Sequence, residues 1–73
     1  MYCMSENTKN ISGFVEYVNS NGEYGFIQSS HLEDDILFYF RDAHYSPEEN
    51  DEVTFEVKHH SSGDRANNIR KST

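Results

Sequence analysis

The chain has no tryptophan, one cysteine, one proline and only six lysine and arginine residues among its 73 positions, against thirteen aspartates and glutamates. Each scarcity closes off a class of protein. Cys3 alone cannot form an internal disulfide, so a bridge-held scaffold is excluded and a reducing, cytoplasmic setting is expected. The longest mostly apolar run, residues 36–40, is far short of the roughly 20 residues a bilayer span needs, and no apolar stretch follows Met1 to suggest a secretory signal. A membrane partner is therefore not expected. Seventy-three residues make one domain, and with 34% hydrophobic content it has no room for a deep, shielded reaction chamber. A shallow surface site is expected instead.

The shortage of positive charge counts against the partners that basic proteins take. Net charge is -7, whereas affinity for nucleic acid comes largely from neutralising phosphates. The distribution is uneven, however. Residues 1–57 carry only Lys9 and Arg41 against twelve acids, and residues 58–73 carry Lys58, Arg65, Arg70 and Lys71 against Asp64 alone. Because charges more than about 8 Å apart are screened at physiological salt, the local field on one face outweighs the total.

What the chain does have is short β-rich runs separated by turn residues. Residues 1–12 are polar and aperiodic and read as a flexible N-terminal arm, leaving 13–71 as the domain. Strands are expected at 14–18, 24–28, 36–40, 52–57 and 66–70. Asn19, Ser20, Asn21 and Gly22 signal a hairpin turn, since Asn and Gly tolerate positive φ. Residues 41–51, holding Pro47, read as a loop with at most one helical turn, and 59–64 as a flexible loop. Strict alternation at 52–57 turns Val53, Phe55 and Val57 inward. A closed antiparallel barrel follows, because closure removes the exposed edges of a small sheet. Its expected core is Val15, Ile27, Ile36, Phe38, Val53, Phe55, Val57 and Ile69.

The aromatics then stand out. Eight of the ten lie between Phe14 and Tyr45, and Tyr24, Phe26, Leu37 and Tyr39 have the opposite parity to Ile27, Ile36 and Phe38, with Gly25 read as a close-packed position. Packing against neighbours explains any one ring more simply than function does, but a barrel this small cannot bury them all. Exposed rings on a sheet are flat platforms for unpaired bases, each worth about 1–3 kcal/mol.

The residues resemble the cold-shock domain family. The segments carrying the likeness are Gly13-Phe-Val-Glu-Tyr-Val-Asn19, Tyr24-Gly-Phe-Ile27, Asp35-Ile-Leu-Phe-Tyr-Phe40, the stretch from Pro47 to Val57, and Gly63-Asp-Arg-Ala-Asn-Asn-Ile69. Each is weak alone; the five in order and spacing are specific. The resemblance implies an all-β, five-stranded antiparallel OB-type Greek-key barrel that binds single-stranded RNA or DNA, often as an RNA chaperone. By position, Tyr17, Tyr24, Phe26, Leu37, Tyr39 and Phe40 match the family's base-stacking surface, and Tyr45 lies near a further stacking position on the long loop. Asn19 and Asp35 match positions that meet base edges or hold the loop beside them. Arg65 matches a polar position on the last loop, where Lys58 could join it on phosphates.

The departures point to weaker binding. Glu16 and Gly22 stand where the family usually has lysines, Glu23 replaces a glycine, and leucine stands for phenylalanine at Leu37. Phe14 replaces another lysine and is the ring through which an otherwise monomeric protein could weakly self-associate. The alternative reading is an acidic OB-barrel interaction module for a basic protein partner. His31, His44, His59 and His60 have no metal-type spacing, the run Glu33-Asp34-Asp35 lacks that of a calcium loop, and no nucleophile motif is present, so no cofactor, metal or catalysis is expected.

Overall fold

A computed structural model describes residues 10–72. Five strands, β1 (Asn10–Asn19), β2 (Tyr24–Gln28), β3 (Ile36–Tyr39), β4 (Glu52–His60) and β5 (Gly63–Lys71), close into a barrel in the order β1-β2-β3-β5-β4. A single 3-10 turn, Phe40–Asp42, follows β3. The long first strand makes closure possible. Its second half pairs with β2 and its first half with β4, and Phe14 lies at the handover opposite both Gln28 and Glu52.

One pairing departs from the antiparallel expectation: β3 meets β5 in parallel, through Leu37 and Arg65. Around a closed ring of five strands, directions cannot alternate throughout, because five is odd. The parallel contact falls on β3 and β5, one of the two pairs whose strands are not consecutive in the chain, while the other, β1 with β4, is antiparallel.

The core is Val15, Ile27, Ile36, Phe38, Val53, Phe55, Ala66 and Ile69. Seven of these were expected. Val57 sits instead at the margin, because β4 and β5 run on past it as an exposed hairpin. Ala66 enters the core together with Ile69 through a bulge in β5. Thr54 pairs with Arg70 and Glu56 with Asn67, so Asn68 and Ile69 together oppose Phe55. Asn68 takes the extra turn at φ 54, which its short polar side chain tolerates.

Six strand boundaries move, three of them by one residue, including the end of β3 at Tyr39, which leaves Phe40 in the 3-10 turn. β1 starts at Asn10, so residues 10–12 of the expected arm are strand; residues 1–9 lie outside the described residues. The flexible loop expected at 59–64 is mostly hairpin, with only residues 61 and 62 between β4 and β5. Its left-handed position falls at Gly63, φ 127, and this allows the turn to be short. Gly25 is close-packed as expected: a Cβ there would lie 2.3 Å from the Tyr17 carbonyl oxygen and 2.7 Å from the Phe38 ring.

Candidate nucleic-acid interface

The outer face of β1, β2 and β3 is organised by one irregularity. Val15 pairs with Ile27 and Tyr17 with Phe26, which leaves Glu16 as an extra residue in β1. Simple alternation would put Tyr17 on the buried side with Val15. The bulge reverses parity after Glu16, so Tyr17 is 42% exposed beside fully buried Val15. The bulge is clamped from outside by the loop before β4. Val15 N donates to the Asp51 carbonyl at 2.9 Å and Asn50 N to the Val15 carbonyl at 2.7 Å, and Val18 N donates to Glu49 Oε2 at 3.2 Å.

Register then aligns the site. Tyr17 pairs with Phe26, Phe26 with Leu37, Leu37 with Arg65 and Arg65 with Lys58, a single row crossing all five strands. A second row runs from Asn19 through Tyr24 to Tyr39. Three rings form a cluster: Tyr17 and Phe26 are stacked with centroids 6.2 Å apart, Tyr24 meets Phe26 edge-on at 6.0 Å, and Tyr17 and Tyr24 are tilted at 6.3 Å. Such pairs are worth about 0.5–1.5 kcal/mol each beyond burial, so the rings hold one another in place while staying on the outer surface. Tyr24 and Phe26 are half-buried as a result.

Asn19 ties this cluster to the turn. Its Oδ1 accepts from Gly22 N at 2.9 Å, and its Nδ2 donates to the Tyr17 and Tyr24 hydroxyls at 3.3 and 3.4 Å. The Asn19 side chain therefore holds the loop. A side chain at residue 22 would come within 2.7 Å of the Tyr24 ring, so glycine there lets the ring lie back over the turn. Positive φ in this turn falls at Glu23, 58°, one residue after the expected Asn19–Gly22 signal. That accounts physically for the preference for glycine where this chain has glutamate.

Two expected stacking residues are set apart from the cluster. Phe40 continues strand parity from Phe38, stacks on it at 6.2 Å and packs against the core. Tyr45 also packs against the core, and its hydroxyl donates to Asp51 Oδ2 at 2.7 Å. That bond and partial burial push the Tyr45 phenol well above its ordinary value, burial being the larger cause. The same bond holds Asp51 below the usual carboxylate range, against some opposing desolvation. Tyr45 thus buttresses the loop that clamps β1.

Charge on the face is mixed. Glu16 lies beside Asp35, and the hydrogen bond the two carboxyls share pushes Glu16 above its ordinary value, with lost hydration and mutual repulsion adding to it. Lys58 is exposed beside Arg65. Arg41, absent from the sequence-derived site, lies with its Cζ 4.7 Å from the Tyr39 ring centroid, and Arg65 Cζ lies 5.0 Å from the same centroid. A signal for Arg41 existed: it is the only cation between Lys9 and Lys58, two residues beyond Tyr39. Among the described residues, no cluster of three or more His, Cys, Asp or Glu side chains is arranged to hold a metal ion.

Comparison with known proteins places the chain. No curated protein matches the sequence. Among solved structures, the Drosophila Unr CSD456 chain superposes with a TM-score of 0.78 at 22% identity, covering 90% of this chain and 28% of that one. At that identity the likeness speaks for the fold, and the present chain spans under a third of the length of that relative. A model of the "'Cold-shock' DNA-binding domain" matches residues 11–72, nearly the whole barrel, and on this match the chain belongs to the cold-shock domain family, generally a nucleic-acid-binding and non-enzymatic one.

Proposed function

We propose that this protein is a monomeric, cytoplasmic binder of single-stranded RNA or DNA that takes unpaired bases on Tyr17, Tyr24 and Phe26 with little sequence readout. The observation that carries the reading is the cluster itself: three rings mutually braced within 6.3 Å, all on the outer face of adjacent strands. A base offers its π-face only when unpaired, so binding of this kind draws weak hairpins toward the open state, which is an RNA-chaperone activity. Leu37 widens the apolar floor in register with Phe26, and Lys58 adds a cation at the end of the row.

The test is titration of oligothymidine or oligouridine, followed by tyrosine fluorescence. Replacing Tyr17 and Phe26 together by alanine should weaken binding by about 2 kcal/mol or more, roughly thirtyfold, at about 1–3 kcal/mol per stacked base. Unchanged affinity in a folded variant would remove the proposal.

A second reading has its own observation. Glu33, Asp34, Asp35 and Asp64 line one groove with His31 and Leu32, an acidic surface suited to a basic protein segment. Saturable binding of a lysine-rich peptide, with no fluorescence response to any single strand, would favour this module over the nucleic-acid binder.

A further inference from the structure

We propose that Arg41 and Arg65, gathered on the ring of Tyr39, form the phosphate-binding subsite of this interface, with Tyr39 serving as their scaffold in place of a stacking platform. The proposal rests on the nucleic-acid reading above and names the groups that take the backbone.

The two arginines reach the ring from different segments. Arg41 lies in the 3-10 turn after β3, and Arg65 lies in β5 directly beside Leu37 of β3. Both guanidinium carbons are within 5.0 Å of one centroid, so their separation cannot exceed those two short distances laid end to end. A cation over an aromatic face is attracted by the ring quadrupole, which draws each arginine to Tyr39 and gathers two positive charges at one ring of an otherwise acidic chain.

Carboxylates do not hold them there. In a chain with a large excess of negative charge, no Asp or Glu among the described residues pairs with either guanidinium; the ion pair found there joins His59 and Asp64. Hydrogen bonding is similarly incomplete. Arg65 Nη2 lies 3.2 Å from His60 Nε2, while Arg65 Nε is buried without an acceptor. A buried unpaired donor calls for a partner, and a guanidinium presents five N–H groups in a fork that fits a phosphate two bonds at a time. A phosphate beside the pair would neutralise this local positive charge and accept from the remaining N–H groups of the two guanidinium forks. Occupied in this way, the Tyr39 face is covered, and base stacking falls to the Tyr17, Tyr24 and Phe26 cluster in the neighbouring row.

The experiment is oligothymidine binding across about 0.05 to 0.4 M salt. Single-strand affinity falls with log salt at a slope of about 0.7 per phosphate neutralised. Arg41→Gln and Arg65→Gln should each reduce the slope by about 0.7, equivalent to roughly a fivefold loss at 0.1 M salt. Tyr39→Leu should reduce it similarly by releasing the scaffold, and Tyr39→Phe should preserve it. Unchanged slopes in both arginine variants overturn the proposal. Phe26→Ala separates it from the stacking reading, because losing a base contact lowers affinity at every salt without altering the slope. If Phe26→Ala has no effect while the arginine variants lose slope, the stacking reading fails and the subsite stands. A wild-type protein that binds no oligothymidine at any of these salts overturns both.

Discussion

Tyr17 faces Phe26 across the β1–β2 pairing although it lies only two residues from buried Val15, because Glu16 is the extra residue between them. The outward ring cluster depends on that one bulge. Adding one residue to β2 between Phe26 and Ile27, opposite Glu16, would make the pairing one-to-one and so turn Tyr17 and Phe26 toward the barrel interior. We expect a loss of about 2 kcal/mol or more, by analogy with overpacked cores, seen as a lower thermal midpoint. An insertion variant with wild-type stability and Tyr17 still quenched by oligothymidine would contradict the bulge's role.

The carboxyl pair of Glu16 and Asp35 carries a pH dependence with a definite sign. Glu16 is held above its ordinary value of 4.5 in the folded state, so its contribution favours the fold below that value and is lost as pH rises through the raised one. Acidification from neutral toward the raised value should therefore ease the repulsion and strengthen binding to oligothymidine. Glu16→Gln should bind more tightly at neutral pH and lose most of that pH response. Titrations of both proteins at a few pH values decide it.

Glu23 occupies left-handed backbone, φ 58, which costs an ordinary residue about 1 kcal/mol relative to glycine. Glu23→Gly should raise stability by about 0.5 kcal/mol after the added freedom of the unfolded chain is counted. It also removes an anion from beside Tyr24, so affinity for single strands should rise. Urea midpoints and one binding isotherm test the two effects separately.

The Tyr45 hydroxyl bond to Asp51 should contribute about 1 kcal/mol. Asp51 is held below its ordinary value of 3.8, so this stabilisation is present above that value and disappears as pH falls through the lowered one. Tyr45→Phe should be destabilised at neutral pH and converge with the wild type in acid. Because Asp51 also accepts from Val15 N, amide exchange at Val15 should quicken in the variant.

Gly25 supports the ring cluster from beneath, and Gly25→Ala should cost about 2–3 kcal/mol by driving a methyl group into the Tyr17 carbonyl and the Phe38 ring. Circular dichroism with thermal melting measures it.

The residues alone carried the strand positions, seven of the eight core side chains, and the family, because alternation at Val53 and Phe55, the turn at Asn19 to Gly22, and five ordered motifs are local signals. The same parity separated Tyr24, Phe26 and Tyr39 from Ile27, Ile36 and Phe38. Long-range pairing set the rest. The bulges at Glu16 and Asn68 leave no mark on local periodicity, since an extra residue shows itself only against the strand it fails to pair with. Phe40 and Tyr45 pack against the core because the chain turns after β3, and Arg41 meets Arg65 on Tyr39 because closing a barrel of five strands brings β5 alongside β3. Periodicity reports which face a side chain takes; barrel closure determines which side chains share that face.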